Sequence, residues 1–383
     1  MSAADTTTTT PTTPTTPSVT RPRRGRGLIR RVIAAVGVDN LSLVLALVLL
    51  VVVIGNLSPL LGISGGQFFW SWQNLMNSLA QSIVIVGLLA IGETVVIVAG
   101  ALDISVGSIA SVASVFSAII VTQGVLGSFG AGSMQLAILA GIAAGVFCGV
   151  INGLIVTILK VNPIIATLGT LAAFDGLAFL IAPEGKPIGV VTQPEFTWLG
   201  TGRFLQDLPI PDLGGRPWPG VPVIFVVLII VAVVMHVVMR YTEFGRSIYA
   251  IGGNATAARL AGINLRNVRI TMYLISGAIA GLAGVLLTAR VTSGNPINGR
   301  SLELQAITAV FLGGAATTGG RGTIVGTFLA VLLVGVLTNG MNLLGVGAFY
   351  QRVALGILLV GAVAVAQYRQ ARAERARTRI AAA

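Results

Sequence analysis

One cysteine, one histidine and two lysines occur in 383 residues, and only 9% of the chain is charged. Each scarcity excludes something. A lone Cys148 forms no intrachain disulfide, and a lone His236 rules out a His-x-x-x-His zinc site, so no metal site is expected. Lys160 precedes Val161 and Lys186 precedes Pro187. A P-loop needs Lys followed by Ser or Thr, so any nucleotide-driven work needs a partner chain. No paired nucleophile and base stands out, so an enzyme is not expected. Soluble domains carry about 25% charged residues, which makes a soluble core the poorer description.

What the chain has in quantity is apolar sequence, 55% of it. A bilayer-crossing helix needs about 20 mostly apolar residues, and runs of that kind recur. They predict spans near 41–61, 74–99, 103–122, 135–158, 163–182, 221–239, 269–289, 303–318, 324–344 and 350–367. The expected fold is an all-α integral membrane protein of about ten transmembrane helices, eight at the fewest. A broken or re-entrant helix within 74–122 is an alternative to two clean spans.

The net charge of +12 does not point to nucleic acid, because the basic residues sit at span ends. Ten spans place 18 of the 24 lysines and arginines on one side, the side expected to be cytoplasmic. Residues 1–31 read as a cytoplasmic tail, Thr/Pro-rich and disordered to 20 and Arg-rich after it. Residues 40–368 read as the membrane domain and 369–383 as a cytoplasmic C-terminal tail. The Pro/Gly-rich stretch 183–220 falls outside, the charged stretch 240–268 inside.

Gly141, Gly145, Gly149 and Gly153 recur every fourth residue and clear one helix face for close packing. Gly149–Val156 (GVINGLIV) resembles Gly335–Asn342 (GVLTNGMN) five spans later. An inverted repeat of two halves would give this, as would chance.

Polar residues in apolar surroundings are the candidates for transport or gating. Asp103, in Gly100–Ser108 (GALDISVGS), reads as a cap for the following helix, its carboxylate accepting the amide of Ser105 or Val106, or, with Ser105, as a pathway or gating residue. Asn77, Gln81 and Asn152 are amides suited either to sugar hydroxyls or to helix–helix hydrogen bonds. Glu93 and Asp175 read as proton-relay carboxylates or as structural pairs. Arg321, in the glycine-rich break Gly313–Thr323, falls on the same side as Asp103, and an ion pair between them is expected to hold a closed state. In the inner stretch, Asn254 reads as an N-cap, 255–261 as two helical turns and Gly262 as their stop. A short exposed helix there suits docking to a partner.

Four stretches, Gly100–Ser108, Phe244–Gly262, Ala306–Thr327 and Asn152–Thr170, resemble the permease subunits of ribose/xylose-type ABC sugar importers, within the branched-chain amino acid and monosaccharide permease superfamily. The likeness covers roughly residues 40–368. The family pattern has Gly where Ala101 stands, a mild departure. The resemblance implies a permease subunit that moves a pentose or hexose into a bacterial cell by alternating access. It implies a multi-pass protein of the inner (plasma) membrane with both termini cytoplasmic. It also implies a homodimer, two copies of a separate cytoplasmic ATPase holding ATP and Mg, and an extracytoplasmic sugar-binding protein. No cofactor is expected on this chain itself. The inner stretch becomes the coupling helix, with Gly252, Asn254, Ala257, Ala258, Ala261 and Gly262 as the ATPase-docking residues. The rival readings are an ABC permease for another solute, such as branched-chain amino acids, and a proton-coupled secondary transporter using Glu93, Asp103 or Asp175.

Overall fold

In hydrocarbon every backbone amide and carbonyl must be satisfied within its own segment, so the uncharged runs become helices. A computed structural model describes residues 40–60, 69–124, 133–189 and 193–381. The expected N-terminal tail, 1–31, lies outside them. Ten apolar helices follow the predicted spans: α1 (Leu41–Leu60), α2 (Ala80–Val98, entered through a π-helical turn at Gln73–Leu79), α3 (Val106–Gln123), α4 (Met134–Thr157) and α5 (Pro163–Ile181). A short α6 (Pro194–Thr201) precedes α7 (Val223–Tyr241). Then come α8 (Glu243–Gly253), α9 (Ala255–Leu260), α10 (Leu265–Val291), α11 (Leu302–Leu312), α12 (Ile324–Leu343) and α13 (Ala348–Ala381).

Seven of the ten are long and apolar enough to cross a membrane. The expected span at 303–318 is shorter than predicted. Helix α11 has 11 residues, a rise of about 16 Å against a hydrocarbon core of about 30 Å. It stops because Gly313–Gly322 breaks the helix, with Gly314, Gly319 and Gly320 at positive φ. Helix α13 extends as backbone beyond the expected end of the membrane domain, to Ala381.

Side-chain caps set many of the starts. Ser133, Asn162, Thr242, Asn254, Asn264 and Thr323 each accept a backbone amide from the first turn of the helix they open. The stretch 183–220 contains α6 and half of a two-residue antiparallel ladder, Arg203–Phe204 with Val221–Pro222. It is held by indoles: Trp72 donates to the Pro211 carbonyl (2.9 Å), Trp218 to that of Leu205 (2.7 Å), and the two rings meet edge to face at 4.7 Å.

Helix α2 is the centre of the molecule. Its apolar window, with the π turn, is 83% buried, against 28% for α5 and α7, which therefore present most of their surface to lipid or to another chain. The packing repeats with a shift of five spans. Helix α4 packs on α10 as α12 does on α2, α3 on α10 as α11 on α2, α3 on α4 as α11 on α12, and α3 on α5 as α11 on α13. The expected inverted repeat of two halves is one arrangement that gives such paired contacts.

Glycines permit the contact of α4 on α10. A Cβ on Gly145 or Gly149 would strike the carbonyl of Gly277 or Tyr273, and one on Gly281 would lie 2.7 Å from the Gly141 carbonyl.

Candidate functional site

Between α2 and α3 the chain leaves the helix for seven residues, 99–105, and this break lies inside the bundle. Gly100, at φ 81°, makes the turn. Asp103 and Ser105 follow and are fully buried, as is Glu93 on α2. A buried carboxylate is costly unless it is hydrogen-bonded, and the break supplies donors. The Asp103 amide donates to Glu93 Oε1 at 3.0 Å. Asp103 Oδ1 accepts the Ser105 amide (3.1 Å), the Ser105 hydroxyl (2.6 Å) and Asn152 Nδ2 (3.3 Å). The same Asn152 amide donates to Ser105 Oγ at 2.7 Å. The expected bond from Asp103 to the Ser105 amide is present, within a larger network.

That network stays open on one side. Among the described residues, seven buried side-chain polar atoms have no partner, and five belong here: Glu93 Oε2, Asp103 Oδ2, Asn152 Oδ1, Tyr273 OH and Ser276 Oγ. Tyr273 and Ser276 come from α10. A Cβ on Gly92 would sit 3.4 Å from Ser276 Cα, and the Tyr273 hydroxyl is within electrostatic reach of both carboxyls. Buried polar groups are normally satisfied, so five open ones on three facing helices and a break form a polar seam with spare hydrogen-bonding capacity. It carries no converging trio of His, Cys, Asp or Glu among the described residues.

Asp103, Ser105 and Asn152 thus come together, with Glu93 beside them. Asn77 and Gln81 lie at the other end of the α2 segment, where Asn77 stands about 24 Å of helix rise from Glu93. There the Gln81 carbonyl accepts Arg290 Nη1 at 2.9 Å. Asp175 is paired with Arg300 through both carboxylate oxygens (3.2 and 2.7 Å), and this hydrogen bonding raises the guanidinium pKa. The expected pair between Asp103 and Arg321 does not form. Asp103 is enclosed and Arg321 is exposed, and no ion pair links them. The two segments do meet, but through backbone.

At that meeting three segments of the chain come within glycine distance. The Gly320 amide donates to the Val98 carbonyl at 2.8 Å. A Cβ on Gly252 would strike that same carbonyl, one on Gly319 would lie 2.7 Å from Gly100 Cα, and one on Gly320 would lie 2.9 Å from Gly253 Cα. Tyr249 of α8 clamps the junction by donating to the Gly322 carbonyl at 2.8 Å. Burial pushes its pKa up, so the hydroxyl keeps its proton. Helix α8 is therefore fastened to the end of α2, five residues before Asp103.

Helix α9 follows. Asn254 Oδ1 accepts the Ala257 amide at 3.0 Å, and Gly262, at φ 86°, ends the helix. Of the residues expected to meet a partner, Asn254, Ala257, Ala261 and Gly262 are exposed, with Leu260 beside them at 84%. Ala258 is buried and Gly252 is occupied by the junction.

Three features escaped the sequence reading. Ser108, Ser111, Ser114 and Ser117 continue from Ser105 as a stripe at spacing three. Ser111 Oγ accepts the Gly299 amide (2.9 Å) and Ser114 Oγ bonds Thr288 Oγ1 (2.7 Å). Their spacing was visible as a polar helix face. Asn74 and Asn339 exchange reciprocal amide bonds at 3.0 and 2.8 Å, and Tyr273 and Ser276 join the seam. No local signal marks those partners, because they are brought together from different helices.

Comparison with known proteins extends over the same helices. The profile of the family described as branched-chain amino acid transport system / permease component matches residues 74–363. The ribose import permease protein of Bacillus subtilis (strain 168) is 39% identical over 320 residues, 83% of this chain and 90% of that protein. That of Escherichia coli (strain K12) is 34% identical over 288 residues, 74% and 80% of the two chains. The L-arabinose ABC transporter permease protein of Azospirillum brasilense is 32% identical over 350 residues, 91% and 92%. No solved structure matches.

Proposed function

The chain belongs to the family of branched-chain amino acid transport system permease components, and on that premise we propose that it is the membrane subunit of an ATP-driven importer of a monosaccharide, a pentose or hexose. It is a multi-pass membrane protein and a transport component rather than an enzyme. The observation that carries the sugar reading is the identity of 39% with a ribose permease, with an arabinose permease matched over 91% of this chain.

In this reading two copies of the chain sit in a bacterial inner membrane with both termini in the cytoplasm. A separate ATPase binds ATP and Mg, and an extracytoplasmic binding protein delivers the sugar. The exposed turn of α9 receives the ATPase. Its movement passes through α8 to the Val98–Gly100 corner and so to Asp103, because the glycine junction leaves no slack between them. The seam of open oxygens and hydroxyls then rearranges as α2, α4 and α10 shift. That rearrangement exposes the pathway to one side of the membrane and then to the other. Asn77 and Gln81, near the opposite end, are the proposed hydrogen-bonding residues of the outer part of the path.

The buried carboxylates Glu93 and Asp103 favour one competing reading, a proton-coupled carrier. Uptake of labelled pentoses and hexoses, with and without this chain, decides between them when an uncoupler is added and cell ATP is held constant. Uptake of one sugar that persists with the uncoupler is expected. Uptake that collapses with it overturns the ATP-driven reading, and uptake of a branched-chain amino acid in place of any sugar overturns the substrate.

A further inference from the structure

At the end of the bundle that carries α8 and α9 lies a cleft of about 730 Å³ lined by Lys160, Arg259, Arg266 and Arg269 and by no acidic residue. None of the four cations has a carboxylate partner among the described residues. Two long helices begin at the cleft wall: α5 behind its cap Asn162 and α10 behind its cap Asn264. Their amide ends add partial positive charge. Lys160 is held at φ 55°, a backbone conformation that costs energy for a residue with a Cβ. Four cations thus line one cleft with no acidic residue among its lining, a composition that suits an anion.

The surroundings indicate the source of that anion. Thr157, Pro163 and Leu265 stand at the ends of membrane helices, which places the cleft at the water–hydrocarbon boundary. Beside it Leu159 and Ile165 are 68% and 66% exposed. A basic pocket between helices, bordered by apolar surface at that depth, fits a phospholipid headgroup with its chains lying alongside.

We infer that this cleft binds a phosphate-bearing anion, with the headgroup of an anionic phospholipid as its source. The site stands on its own geometry and does not depend on which solute is carried. The cleft shares Ala99 and Gly100 with the glycine junction and Arg259 with α9, so its occupant touches the route by which α9 reaches the polar seam. Anionic lipid would then set how readily the transporter cycles.

The test is native mass spectrometry of the full-length chain, purified with its partner subunits and titrated with phosphatidylglycerol or phosphatidylcholine. The wild-type protein should retain phosphatidylglycerol in preference. K160Q/R266Q should bind it roughly ten- to thirty-fold more weakly, at about the worth of two basic residues near an anionic surface. R240Q/R246Q, which removes two charges from the same end but outside the cleft, should bind as wild type. K160R/R266K should restore binding if the glutamine variant melts early. Rising salt should displace the lipid from the wild-type protein.

Equal retention by K160Q/R266Q overturns the site. Stabilisation of the wild type by inorganic phosphate, with the two lipids bound alike, overturns the lipid as source. Cross-linking of a partner polypeptide across Lys160 and Arg266 that excludes both ligands overturns the proposal in favour of a protein contact.

Discussion

The amide of Gly320 reaches the carbonyl of Val98 at 2.8 Å, and the backbone of Gly252 lies against the same oxygen. This contact joins three segments far apart in sequence: the end of the central helix, the glycine-rich break before α12, and surface helix α8.

Gly252→Ala places a methyl on the Val98 carbonyl, a contact under 3 Å that forces backbone to move. Overpacking of this kind costs about 1–3 kcal/mol. Loss of most transport is expected, with a lowered melting temperature. The neighbouring Gly253→Ala has nothing within 4 Å of its new atom and should leave both unchanged. Uptake assays and thermal unfolding of the pair check this. Equal behaviour of the two would remove the junction from the mechanism.

Asn152→Ala takes away the side-chain donor that serves both Asp103 Oδ1 and Ser105 Oγ. Asp103 Oδ1 keeps its two bonds from Ser105, but Ser105 Oγ loses its donor, and a buried acceptor left unpaired costs about 1–3 kcal/mol. Uptake should fall by more than the folded fraction does. Asn77→Ala, at the other end of α2, should instead change the apparent affinity for the sugar. Rates and half-saturating concentrations measured side by side separate these effects.

Asp175→Asn tests the relay reading. The Asp175–Arg300 pair is partly exposed, with side-chain exposures of 27% and 55%, so its loss should cost no more than about 1 kcal/mol. Uptake should persist near the wild-type rate. Abolished uptake in a normally folded protein would make Asp175 a functional acid.

Leu260→Cys tests the docking surface. Cys148 is buried, so the introduced thiol is the reactive one. It should be labelled from the cytoplasmic side and be protected when the ATPase subunits are present. Labelling from the outer side only would reverse the proposed orientation.

Gly149→Ala tests the helix contact. Its methyl meets the Tyr273 carbonyl, whereas Gly169→Ala on α5 meets nothing within 4 Å. A melting temperature lowered in the first and unchanged in the second is expected.

The reach of the sequence is seen in individual elements. The spans, the cap at Asn254, the stop at Gly262 and the glycine ladder of α4 were legible because each depends on neighbours a few residues away. Hydrocarbon forces hydrogen bonds to close within a segment, a cap needs only the next turn, and a ladder at spacing four clears a face whatever lies opposite. The shortness of α11 was half legible: the glycine-rich break at Gly313–Thr323 was visible, but the expected span ran on to 318, whereas the helix ends at Leu312. The partners of Asp103 were not legible at all. Glu93 and Asn152 meet it, and Arg321 does not, because α2, α4 and α10 approach as closely as their small residues allow while the glycine-rich break turns its arginine outward. Sequence by itself determined a membrane bundle, its spans and the faces on which helices can come close. Only the tertiary structure decided which polar groups share the buried seam and which four cations share a cleft, because convergence of separate helices is set by packing between them and leaves no periodic trace in any one of them.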